Sequence, residues 1–68
     1  MKIYGSIKNY LSERAFGFIT PDKGFAGGDI FFHLSNVVEG QDPQAGQRCE
    51  YEEKIERGKL RAIHVRLK

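Results

Sequence analysis

From Ile3 to Leu11 apolar and polar positions alternate, with Ile3, Gly5 and Ile7 on one side and Tyr4, Ser6 and Lys8 on the other, the period of an extended strand. Ser12-Glu13 makes a short turn into a second strand, Arg14 to Thr20, which Pro21-Asp22-Lys23-Gly24 closes as a strong turn signal. A glycine-rich loop, Gly24 to Asp29, leads into a short aromatic third strand, Ile30 to Leu34. The long connection from Ser35 to Gly46 holds Gly40, Pro43 and Gly46, with one tight helical turn expected near Ser35-Asn36. A fourth strand, Arg48 to Lys54, sets Cys49 and Tyr51 on one face against Arg48, Glu50 and Glu52 on the other. Arg57-Gly58 then turns the chain into a fifth strand, Lys59 to Leu67. Its apolar residues change parity, from Leu60 and Ala62 to Ile63, Val65 and Leu67, and a bulge near Ala62 would bring both sets inward. Glycines interrupt every segment and no period of 3.6 is sustained. The pattern predicts an all-β fold, a closed or partly closed barrel.

Two segments do not fit a barrel with one oily side and one wet side. In Arg14-Ala15-Phe16-Gly17-Phe18-Ile19-Thr20, Phe16 and Phe18 share one face while Ala15, Gly17 and Ile19 share the other. In Asp29-Ile30-Phe31-Phe32-His33, Phe31 goes with His33 and Ile30 with Phe32. Both faces of both strands are apolar or aromatic, yet one small barrel has one interior. The small and aliphatic set (Ala15, Gly17, Ile19, Ile30) suits a tightly curved interior, filled by Phe32. If the two strands are neighbours, Phe16, Phe18, Phe31 and His33 are left outside. Flat π-faces on a sheet are platforms for unpaired bases, at roughly 1–3 kcal/mol per base. Lys8 and Arg14, close in sequence, would hold phosphates whatever the base. Two other assignments use the same pattern. Phe16 and Phe18 form the core with Gly17 a simple strand bend, or the aromatic face is a dimer interface.

Length limits the chemistry. Residues 1–68 are expected to form one domain, and a chain of this size buries only about 60% of its unfolded surface. A deep catalytic pocket with its supporting shell does not fit. The single cysteine, Cys49, excludes an internal disulfide and a cysteine-based metal cluster, and fits a reducing compartment. The start, Met1-Lys2-Ile3-Tyr4-Gly5, lacks the apolar run of a signal peptide, and no stretch approaches membrane-spanning length. A cytoplasmic setting away from membranes is expected. The net charge of +2 permits a polyanion without demanding one. Its distribution says more: Glu50, Glu52, Glu53 and Glu56 cluster, whereas Lys59, Arg61, His64, Arg66 and Lys68 follow with no acid between them.

Two blocks then bring a known family into view. Gly5-Ser6-Ile7-Lys8-Asn9-Tyr10-Leu11-Ser12-Glu13-Arg14-Ala15-Phe16-Gly17-Phe18-Ile19 resembles the G-K-V-K-W-F-N-x-x-K-G-F-G-F-I of the cold-shock domains. Asp29-Ile30-Phe31-Phe32-His33-Leu34-Ser35 is similar to their D-V-F-V-H-F-S, the second of the paired ribonucleoprotein motifs. Gly46-Gln47-Arg48-Cys49-Glu50-Tyr51-Glu52 looks like G-Q-x-V-x-F-E, and Ala62-Ile63-His64-Val65 like the closing A-x-N-V. The likeness spans nearly the whole chain in the right order. It implies a five-stranded antiparallel OB-fold barrel that binds single-stranded RNA or DNA and acts as an RNA chaperone, with a mild base preference, toward pyrimidines. Carried over by position, Lys8, Phe16, Phe18, Phe31 and His33 fall on the family's binding face, and Tyr10 matches an aromatic position there or packs at its edge.

The departures are informative too. Asn9 stands where the family has a stacking tryptophan, and Leu34 where it usually has phenylalanine; Ala15 replaces a glycine and Leu11 an asparagine. Two platforms fewer imply weaker binding or a shorter footprint. Phe25, in the glycine-rich loop, either replaces one of them or folds over the barrel end. His33 beside Phe31 can stack on a base or donate to phosphate. With His64 the only other histidine and no cysteine pair, no metal or other cofactor is expected. His64 reads as a solvated strand residue. Glu50, Glu52, Glu53 and Glu56 read as a solvated acidic face that repels nucleic acid. An enzyme is not expected, since nothing pairs an acid with a base or a nucleophile. The reading that competes with a nucleic-acid binder is a protein-interaction barrel, monomeric or dimeric, whose binding face has lost its tryptophan.

Overall fold

The computed structural model describes residues 2–22, 28–38 and 42–68, so Phe25 lies outside the described residues, as does the turn at Lys23-Gly24. Within them five strands form: β1 (Ile3–Leu11), β2 (Phe16–Pro21), β3 (Ile30–His33), β4 (Arg48–Glu56) and β5 (Lys59–Leu67). A 3₁₀ turn, Leu34–Asn36, follows β3, one residue earlier than the Ser35-Asn36 signal suggests. The sheet closes on itself in the order β1-β2-β3-β5-β4, with β4 returning to β1.

Closure bears out the expected five-stranded barrel and refines one detail of it. The barrel is not antiparallel throughout: β3 and β5 pair in parallel, meeting at Phe31 and Arg61. Parity requires this, because five strands in a ring cannot all run opposite to both neighbours. The long connection after the 3₁₀ turn carries the chain across to make the odd pairing, and Val37 adds a parallel bridge to Val65 on the way.

The interior is Ile7, Ile19, Ile30, Phe32, Val37, Cys49, Tyr51, Ala62 and Val65. These are the small and aliphatic set with Phe32 among them, as the sequence pattern favours. Gly17 shows why β2 turns this side inward. It lies opposite Phe32, and a Cβ on it would stand 2.3 Å from the Asn9 carbonyl oxygen and 3.0 Å from the Phe32 ring. Only a hydrogen fits there. Phe16 and Phe18, on either side of Gly17 in sequence, therefore point outward.

Three details depart from simple alternation. The second strand begins at Phe16 and not at Arg14, because the Arg14 and Ala15 amides both donate to the Leu11 carbonyl and close a turn (3.0 and 2.9 Å). Ala15 sits there with φ of 59°, a left-handed conformation that leaves it half-buried and out of the barrel interior. Glycine adopts that conformation without a steric penalty, which accounts for the glycine at this position in the motif Ala15 departs from. The bulge in β5 falls at His64, with φ of 51°, and not at Ala62; pairing slips from Glu50↔Arg66 to Glu52↔Ile63. It still turns both parities inward, since Ala62 and Val65 are both fully buried, although Leu60 stays 43% exposed.

Two substitutions test this register in opposite directions. Gly17→Ala is expected to lower unfolding stability by about 1–3 kcal/mol through overpacking against backbone. Ala15→Gly is expected to raise it by about 0.5–1 kcal/mol, the relief of left-handed strain less the extra freedom of the unfolded chain. Urea unfolding of both variants with an unchanged m-value reads the difference, and a loss of stability in both contradicts the register.

Candidate nucleic-acid interface

β2 and β3 pair so that Phe16 faces His33 and Phe18 faces Phe31, and directly opposed residues share one side of a sheet. The three rings touch one another. Phe16 lies 5.4 Å from Phe31, Phe18 lies 6.0 Å from Phe31 and 6.1 Å from Phe16, centroid to centroid, two of the pairs edge-on. All three are half-buried. This is a contiguous aromatic surface outside the barrel. It excludes the assignment in which Phe16 and Phe18 are the core.

His33 is fixed at the rim. Its Nδ1 accepts the Ser35 amide (3.0 Å) and lies 2.9 Å from the Ser35 hydroxyl, capping the 3₁₀ turn. With Nδ1 committed as an acceptor, Nε2–H is the donor left for a ligand. Leu34, the next residue, is half-buried and packs against the core.

β1 supplies the opposite rim, and here a bulge changes the faces. Between Ile7 and Asn9 the pairing with β2 shifts by one residue, leaving Lys8 as the extra one. Asn9 then opposes Phe18 and Leu11 opposes Phe16, so both are on the aromatic side, and both are exposed. Tyr10 opposes Gly17 and turns inward, its ring stacked 6.2 Å from Phe32 at 12°. Tyr10, which the family motif places either at an aromatic position of the binding face or packed at its edge, covers the core here as a partly buried ring. Lys8 stays outside, donating to Asp29 at 2.7 Å, while the Thr20 hydroxyl donates to the other Asp29 oxygen at 2.9 Å. Those two hydrogen bonds, Lys8 first, hold the Asp29 carboxyl below the usual carboxylate range. Arg14 is exposed in the turn between β1 and β2.

Sequence reading missed Arg61. Its guanidinium carbon sits 5.0 Å above the centre of the Phe31 ring, a cation–π contact made across the parallel β3–β5 pairing. Nothing local in the sequence pairs residues 31 and 61, and only the parity of ring closure brings them together.

Away from this surface, charges pin the strands. Arg48 grips both oxygens of Asp22 (2.6 and 2.5 Å) and the Ser6 hydroxyl (3.0 Å), tying β4 to β1 and to the end of β2. Glu50 is not part of a solvated acidic face: it is 6% exposed, with Lys68 in ion-pair contact and Lys2 at 3.4 Å. Glu52 lies 3.0 Å from the His64 ring, whereas Glu53 and Glu56 are exposed as expected. Burial pushes the Cys49 thiol up to about 11, which keeps it protonated and unreactive at neutral pH.

A barrel of five short strands carrying two ribonucleoprotein-like blocks on one face can be compared directly with known families. The family model described as the 'Cold-shock' DNA-binding domain matches residues 3–68. The chain belongs to the cold-shock domain family. Among solved structures, "drosophila Unr CSD456" superposes with a TM-score of 0.77 at 25% identity, over 100% of this chain and 27% of that one. This chain therefore spans about a quarter of that structure's length. No curated protein matches the sequence closely enough to count as a relative. Cold-shock domains bind single-stranded nucleic acids and are not an enzyme family. No helix among the described residues is long and apolar enough to cross a membrane.

The ion pairs make a pH prediction for this cold-shock domain. Hydrogen bonds from Arg48, Lys8, Lys68 and His64 hold Asp22, Asp29, Glu50 and Glu52, respectively, below their ordinary values of 3.8 for Asp and 4.5 for Glu. A depressed carboxyl contributes stability above its unfolded pKa and loses it as pH falls through the folded value. Melting temperature should thus hold from neutral pH down to about 5 and decline below the ordinary carboxylate range. In Glu50→Gln the neutral-pH melting temperature should drop and the acid decline should shrink. An acid decline as steep as that of the parent protein would show that Glu50 plays no part.

Proposed function

We propose that this domain binds single-stranded RNA or DNA by stacking bases on Phe16, Phe18 and Phe31, with Nε2–H of His33 and the charges of Lys8 and Arg14 at the rim. The observation that carries the reading is the three-ring surface, held outside the barrel by the closeness of Gly17 to the β1 backbone. Large apolar rings on the exterior of so small a barrel reduce a thin core, and stacking is what their flat, half-buried rings offer. Phe25 belongs to the same proposal only as an aromatic residue of the glycine-rich loop that can replace a lost platform. Binding needs no cofactor. By holding only the unpaired form, the domain shifts RNA away from hairpins through mass action, which is the action of an RNA chaperone. A single domain acting as a monomer in the cytoplasm completes the proposal; the lone cysteine, buried and protonated, fits a reducing compartment.

The test is a titration of fluorescent heptathymidine at several salt concentrations. Phe16→Ala and Phe31→Ala should each weaken binding by about 1–3 kcal/mol, roughly five- to 150-fold, while the far-ultraviolet circular dichroism stays that of the folded barrel. Affinity should fall with salt, log against log, by about 0.7 per phosphate neutralised. Unchanged affinity in both variants defeats the stacking mechanism. The absence of any binding, with a dimer in sedimentation, favours a protein-interaction barrel, the reading that Asn9 in place of an aromatic platform supports.

The Lys8–Asp29 pair gives a second test. Lys8 must trade Asp29 for a phosphate, so Asp29→Asn should tighten binding several-fold and steepen the salt dependence. Weaker binding in this variant would mean that Asp29 itself contacts the ligand.

A further inference from the structure

The cross-strand registers join into one line. Asn9 on β1 opposes Phe18 on β2, Phe18 opposes Phe31 on β3, Phe31 opposes Arg61 on β5, and Arg61 opposes Lys54 on β4. Directly opposed residues point to the same side of a sheet. The aromatic surface is therefore the middle of a row that crosses all five strands, with an uncharged amide at one end and two cations at the other. From Phe18 to Lys54 the row covers three strand spacings, about 14 Å.

The chemistry of the cationic end suits the ligand already proposed. A guanidinium is planar and weakly hydrated, so a base can stack on it as on an aromatic ring while its edge donates to phosphate. Arg61 is held against Phe31 at 5.0 Å and keeps 36% of its side chain exposed. The carboxylate nearest to it, Glu56, is 3.9 Å away, beyond hydrogen-bond length, so that pair does not occupy its donors. Lys54 is exposed, and no carboxylate among the described residues pairs with it.

Resting on the stacking function proposed above, we infer that the nucleic-acid track continues from Phe31 over Arg61 to Lys54. Arg61 supplies a stacking plane and a phosphate contact, and Lys54 a second phosphate contact. The end of the row lost with Asn9 is thus offset at the opposite end, and the strand lies further toward the β4–β5 hairpin than the aromatic cluster alone would place it.

The same heptathymidine titration, run over a range of salt, tests this with Arg61→Gln, Arg61→Lys and Lys54→Ala. Arg61→Gln should weaken binding by about fivefold and lower the log–log salt slope by about 0.7. Arg61→Lys should keep the slope but lose affinity, because the charge survives and the plane does not. Lys54→Ala should lower the slope with a smaller loss of affinity. Melting temperatures near that of the parent protein show that each barrel is intact. Equal or tighter binding by Arg61→Gln with an unchanged slope overturns the inference, since Arg61 would then only cover Phe31. In that event sensitivity to Phe16→Ala still upholds the stacking function, whereas a parent protein that binds nothing sinks both.

Discussion

One backbone approach governs this molecule. The carbonyl of Asn9 comes so near to Gly17 that no side chain fits between β1 and β2 at that point, and the Phe32 ring closes the same space from the neighbouring strand β3. The glycine side of β2 must then be the inner side. Phe16 and Phe18 have no choice of face, and the register with β3 lays Phe31 and His33 beside them. A surface that looks costly for a thin core is thus the consequence of how tightly the barrel curves.

The second governing fact is topological. An odd number of strands closed into a ring must contain one parallel neighbour pair, and here that pair is β3 with β5. It sets a guanidinium from the C-terminal part of the chain over a ring from the middle. It also gives the outer face a direction, from an amide on β1 to cations on β5 and β4. Charges elsewhere serve the scaffold instead. Arg48 with Asp22, and Glu50 with Lys2 and Lys68, tie strand ends together on surfaces away from the rings.

Bulges decided what simple alternation misread. The extra residue at Lys8 exchanges the faces of Asn9 and Tyr10, moving an expected contact inside and an amide outside. The bulge at His64 brings one residue of each apolar set of β5, Ala62 and Val65, to the inside, two positions later than the pattern placed it. Glu50 reads as solvent-facing from parity, yet two lysines from the chain's ends cover it. In each case a side chain's surroundings depend on residues far away in sequence, which a local period of two does not record.

By itself the sequence determined the strand content, the barrel, the family blocks and the placing of Phe16 and Phe18 on one face of their strand. Each of these follows from neighbours within a few residues: alternation, the lone glycine between two phenylalanines, and turn residues at fixed places. Tertiary structure alone decided which face of β2 is the outer one, the partner of Phe31 on β5, the packing of Tyr10 against the core, the burial of Glu50, and the pairing of Lys8 with Asp29. Those depend on how the ring closes and where a strand gains one residue, and such choices are settled by packing between segments that no short window of sequence contains.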